Sequence, residues 1–569
     1  MSSDLTDTET TPRNKGTLVR NFSWWSLIGL SFSLTNSWLG VSSSFVVGLA
    51  GAGPPLVIYG LIFAFVLTSM CGYSLSEFSY LLPNSAGTSF WTLTLLETST
   101  PNDSQELPIV ESESSAIKYD VKESLSSDLK NEKDVVGEEC HFESKKHASR
   151  IQKNMAIMVG MINYFGCLFT TASISSSLVY SIMGIHSLLN PSFVFKQWHN
   201  FLLYEIITIF LTAFNCHFQL LPLLSTFGFT MSLFTYAFTF VVCLVSRSDT
   251  ISEQPWPKSQ DIFQKFNNNT GWKSDGMAFL VGLINPLWSF VGIDSATHMT
   301  DEVGRTAAKV LVPKVITATI IIGFVTSFSY SIALFYCVRD TTAVLDSIAP
   351  AVTIYYQATA NKNLAILLQT CTIVVGLTCG VASGTWQSRT LWALSRDMQA
   401  WKSKNTMSHF MTAKLAIINP ACKVPLNAHL FSQLLVVIIG CIMLGSTKAF
   451  NAIISAAVTL LIISYAIPSA ILLTRGREKF IRKHGGQIQD GRSLTSKCKQ
   501  WLHRFGWVPH TITVAYAIFC LVILSFPYVK PVTSFNMNYV AVVYGAIALV
   551  IGIVVIHFNS GQYKGTALT

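Results

Sequence analysis

Trp288-Ser289-Phe290-Val291-Gly292-Ile293-Asp294-Ser295-Ala296 lies inside an apolar stretch that spans 277–299, where a glycine and an aspartate interrupt what would otherwise be a plain helix. The first apolar stretch, 24–49, is interrupted in the same way at Asn36-Ser37-Trp38-Leu39-Gly40-Val41-Ser42-Ser43-Ser44. A helix that unwinds within a membrane releases backbone N–H and C=O groups that hydrocarbon cannot satisfy. Such breaks are tolerated where they line a protein-enclosed cavity, and in secondary transporters that cavity takes the substrate. The two interruptions therefore predict a carrier of a small polar molecule.

Around these breaks, apolar stretches recur at 24–49, 55–81, 155–185, 199–217, 222–245, 277–299, 314–337, 363–392, 428–446, 450–473, 510–528 and 538–557. Each has about the 20 residues that a bilayer-crossing helix needs. Half of the 569 residues are apolar and 12% are charged, against about 25% charged in an ordinary soluble protein. The fold class expected is an all-α membrane protein of about 12 transmembrane helices. Asn36-x-Trp38-x-Gly40 and Asn285-x-x-Trp288-x-x-x-Gly292 each open a broken span. Taking the first five spans and the next five as halves gives opposite orientations, the pattern of an inverted repeat with helices 1 and 6 broken.

The net charge of +9 sits largely in loops, so it is read as orientation in the lipid bilayer, with no nucleic-acid partner. The expected order is a tail at 1–23, spans one and two with a re-entry segment at 24–96, and an acidic insert at 97–154. Spans three to ten follow at 155–473, then a basic loop at 474–509, spans eleven and twelve at 510–557, and a tail at 558–569. Arg475, Arg477, Lys479, Arg482 and Lys483 make the 474–509 loop basic, and the loop 393–427 agrees through Arg396, Lys402 and Lys404. By the positive-inside rule both loops and both termini are cytoplasmic. The segment 247–276 then falls outside, making Asn268 a glycan acceptor. The insert is rich in Ser, Glu, Asp and Lys and cannot bury enough apolar area to fold alone. It is read as a solvated loop or as a target for a kinase or ubiquitin.

Twelve cysteines are scattered without metal or redox spacing, and they read as buried hydrophobes. No metal or cofactor is expected. The polar residues 1–20 offer no cleavable signal peptide. GxxxxGK, HExxH and GxSxG are absent, so the chain reads as no enzyme.

Free N–H groups at a half-helix attract a carboxylate. Gly40 with Ser42, Ser43 and Ser44 suits that role, although a small-residue packing face would look the same. Asp294, costly in lipid, reads as a substrate-amine partner or proton carrier, or else as a structural hydrogen-bond acceptor. His298, one turn on, lies on the same face but is expected at the cytoplasmic end. Glu77 and Glu205 are read as interfacial anchors near span ends. Trp288 and Phe290 are candidate gating lids. The substrate-binding set is thus Asn36, Trp38, Gly40, Val41, Ser42, Ser43, Trp288, Phe290, Gly292 and Asp294, with Asp294 also coupling the proton.

EFSYLLPNSAGTSFWTL at Glu77–Leu93, WSFVGIDSA at Trp288–Ala296, DEVG at Asp301–Gly304 and SRTLWALSRD at Ser388–Asp397 carry a resemblance. With VPLNAH at Val424–His429, the chain resembles the amino acid–polyamine–organocation superfamily from Phe22 to about residue 558, and within it the fungal amino acid/choline transporter branch. Thr88 stands where that superfamily usually has a second glycine, and Gly40 is followed by Val41-Ser42 in place of its glycine pair. The resemblance implies a core of LeuT type with five-plus-five topology and a proton-coupled plasma-membrane permease working by alternating access. The substrate it implies is an amino-acid-like zwitterion, foremost the biotin precursor 7-keto-8-aminopelargonic acid. Choline, 4-aminobutyrate and polyamine permeases are alternatives, and a non-transporting nutrient sensor is the alternative of another class.

Overall fold

The computed structural model describes residues 18–97, 149–249, 255–401, 407–445, 447–484, 505–533 and 536–560. Most of the acidic insert, with its expected kinase and ubiquitin sites, lies outside the described residues, as do most of the basic loop and both tails. Among the described residues the chain is helical, with no strand.

The first broken span comprises α1 (Trp24–Thr35), α2 (Ser37–Ser43) and α3 (Phe45–Ala52). It is followed by α4 (Pro54–Leu81), α5 (Thr88–Glu97), α6 (Arg150–Leu189), α7 (Gln197–Phe214) and α8 (Leu220–Asp249). The second broken span is α9 (Asp275–Gly282), α10 (Ile284–Trp288) and α11 (Thr300–Val303). Then come α12 (Arg305–Cys337), α13 (Lys362–Ala400), α14 (Leu426–Gly440), α15 (Thr447–Arg475), α16 (Arg477–His484), α17 (Trp507–Ile523) and α18 (Val540–Ser560).

Local chemistry sets the starts. Ser23 caps α1 through a reciprocal pair with Ser26, and Ser149 caps α6 with Gln152, each satisfying N–H groups that a helix leaves open. The α6 cap places residues 150–154, expected in the insert, within the helix. Likewise α13 continues to Ala400, so Arg396 sits on a helix end and not in a loop.

Among the described residues, seven helices are long and apolar enough to cross a membrane. Ile206, Ile209 and Phe210 on α7, and Val542, Leu549, Ile553 and Ile556 on α18, are exposed, as suits lipid-facing surfaces. The core pairs α4 with α12 and α1 with α8, and packs α6 against both α13 and α15. The end of the bundle holding Phe22, the α4–α5 turn and the start of α12 is called the near end below.

Glu77 lies near a helix end, as expected, whereas Glu205 does not. Glu77 takes a bidentate contact from Arg477, with Nε at 2.9 Å from Oε1 and Nη2 at 3.1 Å from Oε2, and His510 Nε2 lies 3.3 Å from Oε2. It is a largely enclosed pin joining α4, α16 and α17, close to the end of α4. Glu205 lies near the middle of α7, with both carboxyl oxygens buried and no hydrogen-bond partner. Removing one partner of a buried pair leaves a charge with no counter-ion, which costs about 3 kcal/mol or more. Glu77→Ala should therefore lower the apparent melting temperature of the solubilised protein well below that of the parent. An unchanged melting curve would show that the pin contributes nothing.

Candidate substrate site

The first span is interrupted at two single residues, Asn36 and Ser44. Asn36 adopts the left-handed region, with φ 31° and ψ 61°, and α2 restarts at Ser37 without a side-chain cap. The sequence places the break over Asn36 to Ser44; within that stretch Gly40, Val41, Ser42 and Ser43 are helical, and Ser44 departs again. Ser43 Oγ and Ser44 Oγ donate to the Gly40 carbonyl at 2.9 and 3.0 Å, so both hydroxyls serve their own helix first. Gly40 has a packing reason: a Cβ there would stand 3.1 Å from Ser289 Cα of the second break. Trp38 is buried and donates its Nε1 to Ser232 Oγ at 2.9 Å. Asn285 ties the two breaks together, donating to the Val41 carbonyl at 3.0 Å and to Ser44 Oγ at 2.5 Å.

The second break unwinds where the sequence predicts. After Trp288 the chain runs in short turns, with Phe290 N–H on Leu287 O at 3.3 Å and Ser295 N–H on Gly292 O at 3.1 Å. Gly292 has φ 86°, and a Cβ there would stand 2.8 Å from Leu34 Cδ2. This opens Asp294 to neighbouring helices. Its Oδ2 accepts from Asn163 Nδ2 at 3.0 Å and lies 3.3 Å from His298 Nε2. Asn163 also donates to Ser464 Oγ at 3.0 Å. The Tyr465 hydroxyl approaches the carboxylate without reaching hydrogen-bond geometry. His298 is buried, with Nδ1 at 2.8 Å from the carbonyl of Ser85 in the α4–α5 turn. Asn163 was not anticipated; its signal is a polar amide inside the apolar stretch 155–185, where such groups are costly.

Between the breaks lies a cavity of about 50 Å³ lined by Asn36, Gly40, Ser43 and Trp288, with Thr35, Thr170, Ser177, Ser181 and Thr372 among the rest. Asn36 Nδ2 and Thr35 Oγ1 are buried there without a partner. Trp38, Val41, Ser42, Phe290, Gly292 and Asp294 do not line it; Phe290 and Gly292 face a smaller space beside Tyr465 and Tyr516. Such a volume holds a few waters. A polar cluster closes the near end. Arg389 Nε meets Glu302 Oε1 at 2.8 Å, and Arg396 Nη1 meets Asp301 Oδ2 at 2.5 Å. Burial would raise the Asp301 carboxyl, but Arg396 and the Ser85 hydroxyl hold it below the ordinary carboxylate range, so this ion pair stays charged at neutral pH.

Asn268 is half-buried, and its amide donates to Trp272 O at 2.9 Å and Asp275 Oδ1 at 3.1 Å. Attaching a glycan replaces one N–H of this amide, so at least one of the two bonds would have to be released. For the break itself, Gly292→Ala adds a methyl group where both φ and Leu34 oppose it. Uptake should fall sharply while surface expression persists. Wild-type uptake in that variant would show that the turn is not held by its glycine.

Residues 146–547 match the family model described as amino acid permease. The chain is 48% identical over 537 residues to the 7-keto 8-aminopelargonic acid transporter of Saccharomyces cerevisiae, covering 94% of this chain and 92% of that protein. It is 34% identical over 550 residues to the choline transporter of the same yeast, covering 96% and 82%. It is also 27% identical over 419 residues to the transmembrane transporter swnT of Metarhizium robertsii, covering 73% and 76%. Breaks, cavity, apolar helices and these matches agree: the chain belongs to the amino acid permease family, as a multi-pass membrane transporter and not an enzyme.

Proposed function

We propose that this permease imports 7-keto-8-aminopelargonic acid across the plasma membrane, coupled to protons, by alternating access. The observation that carries the reading is the 48% identity, over nearly the whole length, to a protein named as the transporter of that compound. The cavity's chemistry agrees. Asn36 Nδ2 and Thr35 Oγ1 are buried groups without partners, and a carboxylate would satisfy both. Trp288 is the aromatic in the lining, which does not make the aromatic cage that a choline headgroup favours.

The cavity must widen to admit this substrate, since small-molecule sites are usually several hundred cubic ångströms. The near-end ion pairs would be the barrier that opens. On this reading the near end is cytoplasmic, by the positive-inside rule applied to Arg475, Arg477, Arg482 and Lys483. The five-plus-five inverted repeat with twelve spans belongs to the same proposal. It is supported by the packing of α4 on α12, α6 on α13 and α2 on α10, which pairs the second span with the seventh, the third with the eighth and the first with the sixth. Asp294 is assigned the proton. It lies outside the cavity lining, beside His298 and Asn163, so its role as partner to the substrate amine would require the chamber to deepen.

Two experiments test this reading. Expression in a yeast strain that needs biotin and lacks its own precursor permease should restore growth on 7-keto-8-aminopelargonic acid. No growth, together with choline or 4-aminobutyrate uptake, would move the assignment to those substrates, and binding without net uptake in vesicles would favour a sensor. Asp294→Asn should reach the membrane yet accumulate no more substrate than cells lacking the chain. Normal accumulation would remove Asp294 from the coupling.

A further inference from the structure

We infer that His298 and Ser85 act as positioning residues that couple the protonation of Asp294 to the ion pair closing the near end. The inference rests on the assignment of Asp294 as proton site, and extends it to a gate.

The geometry forces a choice of protons. His298 Nδ1 stands 2.8 Å from the Ser85 carbonyl oxygen, which can only accept, so Nδ1 donates. A neutral imidazole then has a bare lone pair at Nε2. That lone pair faces Asp294 Oδ2 at 3.3 Å. Two acceptors meet there unless one proton lies between them, on either the carboxyl or the imidazole. With that proton, both contacts hold. Without it, the imidazole can keep only one. If it turns its single N–H to Asp294, the Ser85 carbonyl loses its donor; if it keeps Ser85, it is repelled by Asp294.

Ser85 carries that choice onward. Its hydroxyl donates to Asp301 Oδ2, the same oxygen that Arg396 Nη1 holds at 2.5 Å. Arg396 Nη2 also reaches Asn84 Oδ1 at 3.4 Å, and that oxygen caps the turn by accepting from Ala86 N–H at 2.8 Å. The turn from Asn84 to Gly87 is thus held from the cavity side by His298 and from the near side by Asp301 and Arg396. A proton on the Asp294–His298 pair keeps the turn fastened at both points. Losing it releases one.

Other charged and titratable groups face this chain. Tyr465 on α15 and Cys167 on α6 lie beside Asp294. Arg305 and Asp397 flank the Asp301–Arg396 pair, and Glu302 and Arg389 pair with each other. Asp301, Asp397, Arg396, Glu302 and Arg389 are already paired among themselves. The contact that changes with the proton is therefore the one at His298.

The test uses no substrate, so it stands apart from the transport assignment. Thr300 is buried at the near end, and maleimide labelling of Thr300→Cys over the parent chain, in nanodiscs, reports opening there. Labelling is compared at about pH 5 and about pH 8, each normalised to the same protein unfolded at that pH. In the otherwise native chain, labelling should rise several-fold at the higher pH. His298→Gln, which keeps hydrogen-bonding groups but does not titrate, should give labelling that is the same at both. Ser85→Ala, which keeps the carbonyl but drops the hydroxyl, should give high labelling already at the lower pH. Equal labelling at both pH values in the native background would overturn the inference without any variant, and so would a retained pH response in His298→Gln. If uptake of 7-keto-8-aminopelargonic acid failed while the labelling pattern held, the substrate assignment would fall and the gate coupling would stand.

Discussion

A peptide group released from its helix inside hydrocarbon has nowhere to go but another part of the protein. That constraint shapes this chain at its centre. The two broken spans repair each other: the Asn285 amide takes the Val41 carbonyl and Ser44 Oγ, and Gly40 lets α2 approach Ser289 closely. The cavity between them is a consequence of that mutual repair. Two helix breaks placed apart in lipid would each be costly, whereas placed together they enclose a small polar space. The long helices α6 and α13 then cross beside the breaks and supply Thr170 and Thr372 to the cavity wall.

The same low-dielectric surroundings make every buried charge demand a partner. A continuous polar path answers this demand from the core to the near end. Asn163 and His298 serve Asp294, Ser85 serves His298 and Asp301, and Arg396 completes the path. Arg389 and Glu302 form a second, drier pair alongside. A structure built this way is stiff where it is paired and switchable where a single proton decides the pairing. Under the proposed mechanism the near-end cluster is the barrier in this conformation, and the small cavity is its occluded counterpart.

Much of the fold was legible because lipid leaves few options. Twenty-residue apolar stretches have to be helices, and each expected stretch does hold helix. The break at Gly292 was legible because glycine and aspartate are both conspicuous in such a stretch. The first break falls inside its expected stretch, Asn36 to Ser44, but at the two ends of it. Gly40 drew attention as the flexible residue, yet Asn36 bends the chain and Gly40 is small for contact with Ser289. A glycine in sequence does not say whether it serves backbone freedom or close packing. Trp38 shows the same limit, since a buried indole bonded to Ser232 and an indole facing a cavity read alike. Asn163 and Ser85 were missed because their roles depend on which helices meet, and neither carries a charge to draw notice. Glu77 and Glu205 were read by their distance from span ends, a distance that boundary uncertainty blurs.

The central claim is that a zwitterionic substrate sits between the two broken spans. An experimental map of the protein in nanodiscs with 7-keto-8-aminopelargonic acid would test it most directly. The account predicts density for the ligand between Asn36 and Trp288, its carboxylate against Asn36 Nδ2 and Thr35 Oγ1, with both spans interrupted. Ligand density elsewhere, or two continuous helices with no chamber between them, would contradict it.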